Sequence, residues 1–267
     1  MEIFDLFGEN IIIEQQNEKN KQLRSEKQQI KNELHKQKRK KIKQQKYELI
    51  QTLETQEQKN EYVHSFKGLR NQKRENGIKS LQSPFKIIID CGFEENMSDK
   101  EQRSLARQIS ELYTENRKID GPLKIYVTNI YPILHKYLEQ YHYKQWSLIS
   151  DERLFTEIEE LQLANIVYLS PDSEEELLEI KEDEIYVIGG LVDKVIIKNA
   201  TLNRSRQLGV RSAKLPIGQY IKKNYKKCLN VSTAALMITG WLKYKDWSKA
   251  FDSVVPQKFK DQEAEMQ

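Results

Sequence analysis

The sequence predicts an α/β protein, a mostly parallel sheet covered by helices on both faces, preceded by a basic helical extension. Three observations predict it. After residue 84, short continuous apolar runs alternate with amphipathic stretches, as expected for strands buried on both faces. Residues 1–82, in contrast, are rich in Gln, Lys, Asn and Glu and poor in aliphatics. Charge is also unevenly placed. The 267-residue chain has net charge +4, yet from Lys19 to Lys46 twelve Lys or Arg face only Glu26 and Glu33, a local +10 that leaves −6 elsewhere. A basic arm on a mildly acidic body is the expected organisation. Its segments are the extension 1–82, a folded domain 83–258 and a tail 259–267.

Taken in order, NKQLRSEKQQIKNELHKQKRKKIKQQKYELIQTLE has no Pro or Gly and carries Leu23, Ile30 and Leu34 at roughly helical spacing, so a long, polar, weakly amphipathic helix is predicted, with a partly disordered tail as the alternative. FKIIID (85–90) reads as a buried strand. Ser98 and Glu101 form a capping-box pattern opening a helix with Leu105, Ile109 and Leu112 on one face. LKIYVTN (123–129) is the next strand, and YPILHKYLEQY a helix with Pro132 in its first turn. IVYLS (166–170) is a strand and DSEEELLEI (172–180) a short acidic helix. EIYVIGG (184–190) is a strand, and RSAKLPI (211–217) and KKCLNV (226–231) are strands or strand ends. STAALMITGWLKYKDWSKAF (232–251) closes the chain as one or two helices.

Composition excludes several classes. With 38% hydrophobic and 31% charged residues, part of the chain has no core of its own. Cys91 and Cys228 cannot make a disulfide framework. MEIFDLFGENIIIEQ has acids and no early basic run, against a signal or transit peptide, and no apolar run approaches the ~18 residues of a membrane span. A soluble intracellular protein is expected. The histidines and cysteines show no ligand spacing, so no metal is expected. There is no G-x-G-x-x-G after the first strand, no phosphate-binding loop with G-K-[ST] and no G-x-S-x-G elbow.

Ligands of open α/β sheets bind outside the carboxyl ends of the strands. Asp90, Ser170, Asp172, Gly189, Gly190, Asp193, Pro216, Asn230 and Ser232 all follow apolar runs and could share one rim. Singly, each has a plainer reading: the glycines a turn, Asp193 a loop carboxylate, Gln108 a hydrogen-bonded core amide.

Together, "IIIDCGFEENMSDKEQRSLARQISELYTENRK" (87–118), "IVYLSPDSEEEL" (166–177), "EIYVIGGLVDK" (184–194), "QLGVRSAKLPIGQYI" (207–221) and "KYKDWSKAFDSVVPQK" (243–258) resemble the tRNA position-9 purine N1-methyltransferases of the SPOUT superfamily, in that family's order and near its spacing. The resemblance covers about residues 85–258. It implies a SPOUT-type parallel sheet with a C-terminal trefoil knot that binds S-adenosylmethionine, and it implies that this chain methylates N1 of guanine at position 9 of tRNA. It assigns Asp193 as general base, with Asp90 and Gln108 supporting. The cofactor-binding positions it implies are Leu169, Ser170, Gly189, Gly190, Lys194, Thr201, Leu215, Leu229 and Asn230. The Gly pair would let backbone approach the cofactor without an intervening Cβ. The chain departs from the family where Val195 replaces an Asn and Asn230 a Thr or Ala.

Two other functions stay open: N1-methylation of adenine at the same position, and a catalytically weak RNA-binding scaffold of the same fold. Lys36, Lys38, Arg39, Lys40, Lys41, Lys43 and Arg117 are expected to contact tRNA. KQKRKKIK (36–43) also resembles a nuclear import signal, so nucleus and cytoplasm are both expected locations. The family's N-terminal arm goes with monomeric action, and no membrane partner is expected.

Overall fold

Gln, Lys and Glu are good helix formers, and no proline precedes Pro84, so the first part of the chain can be helical without burying anything. The computed structural model describes residues 2–120, 122–161, 165–192, 197–218, 220 and 229–255. Helix α1 (Glu2–Thr52) has 51 residues, about 77 Å at 1.5 Å per residue. Leu23, Ile30 and Leu34, the predicted apolar stripe, are all exposed. Helix α2 (Gln56–Ser80) follows.

The chain divides into two units, residues 1–68 and 69–267, so the division falls inside α2. The distal half of α2 is fastened within the second unit. Asn76 Nδ2 donates to the carbonyls of Arg117 (3.2 Å) and Ile119 (3.0 Å), and Ser80 Oγ to that of Ser147 (3.3 Å).

In the second unit, β1 (Lys86–Asp90) leads to α3 (Asp99–Asn116), β2 (Lys124–Thr128), α4 (Pro132–Glu139), β3 (Ile149–Ser150), β4 (Ile166–Leu169), β5 (Ile185–Gly189), α5 (Ala200–Gln207), β6 (Arg211–Ala213), α6 (Val231–Tyr244) and α7 (Trp247–Val254). The six strands form one sheet in the order β3-β2-β1-β5-β4-β6, with every pairing parallel. Successive strand residues point to opposite faces. Ile87, Ile89, Val127, Tyr186 and Ile188 join the core shared with α3, α4, α6 and α7. Ile88, Tyr126, Tyr168 and Val187 face a second core closed by Phe155, Ile158 and Leu161. Burial on both faces is why these strands read as continuous apolar runs.

The Ser98–Glu101 box opens α3: the Glu101 carboxylate accepts from the Ser98 amide (2.8 Å) and hydroxyl (2.6 Å). Leu105, Ile109 and Leu112 are buried, as the pattern predicts. The last predicted helix is two, broken at Lys245, which takes a left-handed φ of 52°.

Two expectations are corrected. Residues 172–180 are not a helix. Their backbone bonds instead to the segment leaving β6: Lys214 N donates to Glu175 O (2.8 Å) and Leu177 N to Lys214 O (2.9 Å). Three consecutive glutamates gain nothing from helical stacking, and this pairing buries Leu177 and Ile180 while Leu178 stays exposed. The described part of KKCLNV is not a strand. Leu229 and Asn230 are loop, and Val231 begins α6, because the Asn230 side chain caps the helix by accepting from Thr233 N (2.8 Å). Residues 226–228, the tail 259–267 and residues 221–225, on whose path the expected knot depends, lie outside the described residues.

Candidate active site

The strand order reverses between β1 and β5: the chain begins in the middle of the sheet, builds outward through β2 and β3, then fills the other side. The carboxyl edge beside such a reversal is where an open α/β sheet holds ligands. A cavity of about 300 Å³ lies at that edge, over the ends of β4, β5 and β6. Leu169 ends β4 and Ser170 follows it, Ile188 and Gly189 come from β5, Lys214 and Leu215 from the exit of β6, Ala200 and Thr201 from the first turn of α5, Leu229 from the loop before α6 and Ala234 from the first turn of α6. Most walls are aliphatic, while Asp172, Glu176 and Lys214 supply charge. An apolar cleft with a few placed polar groups suits a small molecule with a flat apolar part and a charged part.

Of the nine positions that the family resemblance implies for a cofactor, Leu169, Ser170, Gly189, Thr201, Leu215 and Leu229 line this cavity. Lys194 lies outside the described residues, as do Asp193, Val195 and Ile196. Asn230 caps α6 next to Leu229. The cavity also takes Asp172, Glu176 and Lys214, which the resemblance did not supply. Asp172 alone had a sequence signal, its place just past a strand.

Gly189 and Gly190 have different neighbours. Neither has a positive φ, and Gly189 is the last residue of β5. A Cβ on Gly189 would stand 2.7 Å from Thr201 Cγ2 and 3.2 Å from the Phe93 ring. A Cβ on Gly190 would stand 2.9 Å from the Asp90 carbonyl oxygen and 3.2 Å from Cys91 Cα. Gly190 N donates to that same carbonyl (2.7 Å), so this glycine lets β5 close on the end of β1.

Two links hold the start of α5 against the cavity. Thr201 Oγ1 donates to Ser170 Oγ (2.8 Å), and Asp172 Oδ2 accepts from Asn199 N (2.9 Å), with Asn199 at a left-handed φ of 60°. On the near side of the segment 193–196, Val192 N faces Met97 Sδ at 3.3 Å. Val192 and Asn199, described residues on either side of positions 193–196, thus each have a partner.

Asp90 does not line the cavity; it lies behind it, paired in register with Gly189 and fully buried. Its carboxylate accepts from Gly92 N (3.0 Å), Tyr168 Oη (2.9 Å) and Arg204 Nε (3.1 Å). Burial, and then Asp90 itself, push the Tyr168 phenol well above its ordinary value, so it stays a proton donor. Burial and Asp90 likewise push the Cys91 thiol up, which keeps it unreactive. Gln108 is a core amide: its Oε1 accepts from Val231 N (2.9 Å), fixing the first turn of α6 beside Leu229. Arg204 carries no sequence signal, being one more cation on a polar helix.

The predicted RNA-binding residues fall in two places. Lys36, Lys38, Arg39, Lys40, Lys41 and Lys43 are exposed along α1. Arg117, at the end of α3, lies with its guanidinium 4.4 Å over the Tyr113 ring, and its buried Nε has no hydrogen-bond partner.

Comparison with known proteins adds three findings. The family model described as tRNA (guanine(9)-N(1))-methyltransferase TRM10/TRM10A matches residues 13–260. The tRNA (guanine(9)-N1)-methyltransferase of Schizosaccharomyces pombe is 35% identical over 186 residues, 67% of this chain and 60% of that protein. The tRNA methyltransferase 10 homolog A of Xenopus tropicalis is 35% identical over 178 residues, 66% of this chain and 53% of that protein. This chain thus spans 53–60% of the length of these two relatives. Among solved structures, spTrm10(74) superimposes with a TM-score of 0.62 at 35% identity, covering 65% of this chain and 95% of that one. The SAH complex of full-length spTrm10 gives 0.60 at 34% identity, covering 65% and 96%.

Proposed function

The chain belongs to the tRNA (guanine(9)-N(1))-methyltransferase TRM10/TRM10A family, and from that premise we propose that it transfers a methyl group from S-adenosylmethionine to N1 of guanine at position 9 of tRNA. The observation that carries the reading is the cavity: six positions expected to hold the cofactor come from the ends of β4 and β5, the exit of β6, the start of α5 and the approach to α6, and meet around one space. Its residues fit the group. Leu169, Ile188, Leu191, Leu215 and Leu229 offer an aliphatic bed for the adenine, Asp172, Glu176 and Lys214 offer partners for the charged end, and Gly189 leaves room that a Cβ would fill. That a related protein, spTrm10, was crystallised with SAH supports the same assignment.

Bound S-adenosylmethionine supplies a methyl group already activated on a sulfonium, so no metal is required. The protein must orient the acceptor and deal with a proton. N1 of guanine is protonated at neutral pH, so its lone pair becomes available only as the proton leaves. Asp193 accepts that proton as the N1–methyl bond forms and the sulfur–methyl bond breaks, leaving N1-methylguanine, a neutral thioether and a protonated carboxyl. General-base catalysis of this kind contributes about 10²–10⁴-fold. Orientation of the acceptor and the base supplies much of the remaining acceleration. The cations of α1 supply affinity through phosphate contacts that read no sequence.

Asp193→Asn should fold normally and slow single-turnover methylation of a G9 tRNA by about 10²-fold or more, flattening its pH dependence. An unchanged rate across pH would remove Asp193 from the chemistry. Primer-extension arrest on otherwise identical tRNAs bearing G or A at position 9 tests the base: arrest on the G9 transcript alone is expected.

A further inference from the structure

Asp90 is a fully buried carboxylate that does not itself line the cavity. Among the described residues its ion-pair partner is Arg204, at 3.1 Å, whose side chain is 21% exposed. Arg204 lies one helical turn beyond Thr201 on α5, and Thr201 forms the cavity wall against Gly189. α5 is therefore joined to the sheet at two points, Thr201 to Ser170 at the cavity and Arg204 to Asp90 behind it.

We propose that Arg204 is a positioning residue for this site: as the buried counter-ion of Asp90 it holds α5, and so the Thr201 wall, in the arrangement that binds cofactor. This rests on the reading of the cavity as the S-adenosylmethionine site. The physical case is one of compensation. An ionised carboxylate removed from water needs a partner, and taking that partner away leaves an uncompensated charge, far costlier than losing the pair as a whole. The other groups around Asp90 cannot substitute. Tyr168 and Gly92 N are neutral donors, Cys91 is a buried thiol, and the neighbours in register on β2 and β5, Thr128 and Gly189, carry no charge.

The test is calorimetric binding of S-adenosylhomocysteine to the full chain. In Arg204→Met, affinity should fall by about tenfold, because the uncompensated carboxylate loosens its hold on α5. The double variant Asp90→Asn/Arg204→Met, which removes both charges, should return affinity to within about threefold of the parent. Wild-type affinity in Arg204→Met would overturn the inference. So would a loss that Asp90→Asn does not recover, because that is the mark of packing alone. If Arg204→Met does not fold, the double variant decides: recovered affinity supports the counter-ion role, and lost affinity refutes it. A parent protein that does not bind S-adenosylhomocysteine would instead refute the reading of the cavity.

Discussion

Helix α1 and the sheet are ordered for opposite reasons. In α1, the apolar residues Leu23, Ile30, Leu34, Ile42 and Leu49 are 45–60% exposed, and Lys36, Lys41 and Lys43 are exposed too. Its helicity is supported by residue propensity and by local contacts such as Gln44 to Glu48, and among its described side chains none from residue 18 to 49 is buried. In the sheet, Ile87, Ile88 and Ile89 are fully buried, and β-branched residues stand where both faces are covered. The described side chains of the one form a charged surface. The other is an interior whose rim is a pocket. Damage to the first should change what the protein binds and leave its stability alone, whereas damage to the second should do the reverse or both.

The sharpest break of that comparison is deletion of residues 1–68. It should lower tRNA affinity by on the order of 10³ at low salt and flatten the log–log salt dependence, since the cations that displace counterions are gone. Trp146, Trp241 and Trp247 all lie in residues 69–267, so tryptophan fluorescence reports that unit alone. Its unfolding midpoint and its S-adenosylmethionine affinity should not move. Full-length tRNA affinity in the truncated chain would transfer RNA docking to the second unit. Next in size is Gly190→Val, whose Cβ would meet the backbone of Asp90 and Cys91 rather than a side chain that can yield. It should cost about 3 kcal/mol or more in urea unfolding. A stable Gly190→Val protein that has lost only the cofactor would mean the contact is with ligand and not with β1.

Alkaline pH separates the regions by titration. Burial, first of all, pushes the phenols of Tyr126, Tyr168 and Tyr186 above 10.0 in the folded protein. Below the unfolded-state value near 10, their contribution to stability is fully present. Above it the unfolded chain releases these protons and the folded chain keeps them, so stability falls by up to about 1.4 kcal/mol per pH unit for each tyrosine. Tryptophan fluorescence should report this weakening of residues 69–267 above pH 10. The smallest effect expected is at Gly68, inside α2, where an added Cβ meets nothing within 4 Å. Gly68→Ala should raise helicity and stabilise by about 0.5–1 kcal/mol, the opposite sign to Gly190→Val. A destabilised Gly68→Ala chain would show that this position needs its flexibility.

The legible parts of the sequence follow the same division. β1, β2, β4 and β5 match the apolar runs to within about a residue, because burial on both faces writes an uninterrupted signal. The two-residue β3 writes none, and 172–180 looks like a helix because the pairing that overrides it comes from Lys214, far along the chain. Within the site, Leu169, Ser170, Gly189, Thr201, Leu215 and Leu229 were reachable only through the family resemblance; spacing alone marked just Ser170 and Gly189 as strand-end residues. The hydrogen bond of Gln108 to Val231 and the ion pair of Arg204 with Asp90 depend on partners 123 and 114 residues away. No local pattern carries such information.

The cavity is built entirely from Leu169 to Ala234, late in the chain, whereas the cations of α1 end at Lys46. Translation therefore delivers the two in a fixed order. At roughly 5–20 residues per second, about 10–40 s separate the emergence of the last of those cations from that of the last wall of the pocket. A nascent chain can attract polyanions throughout that interval, before the pocket exists to hold a small molecule.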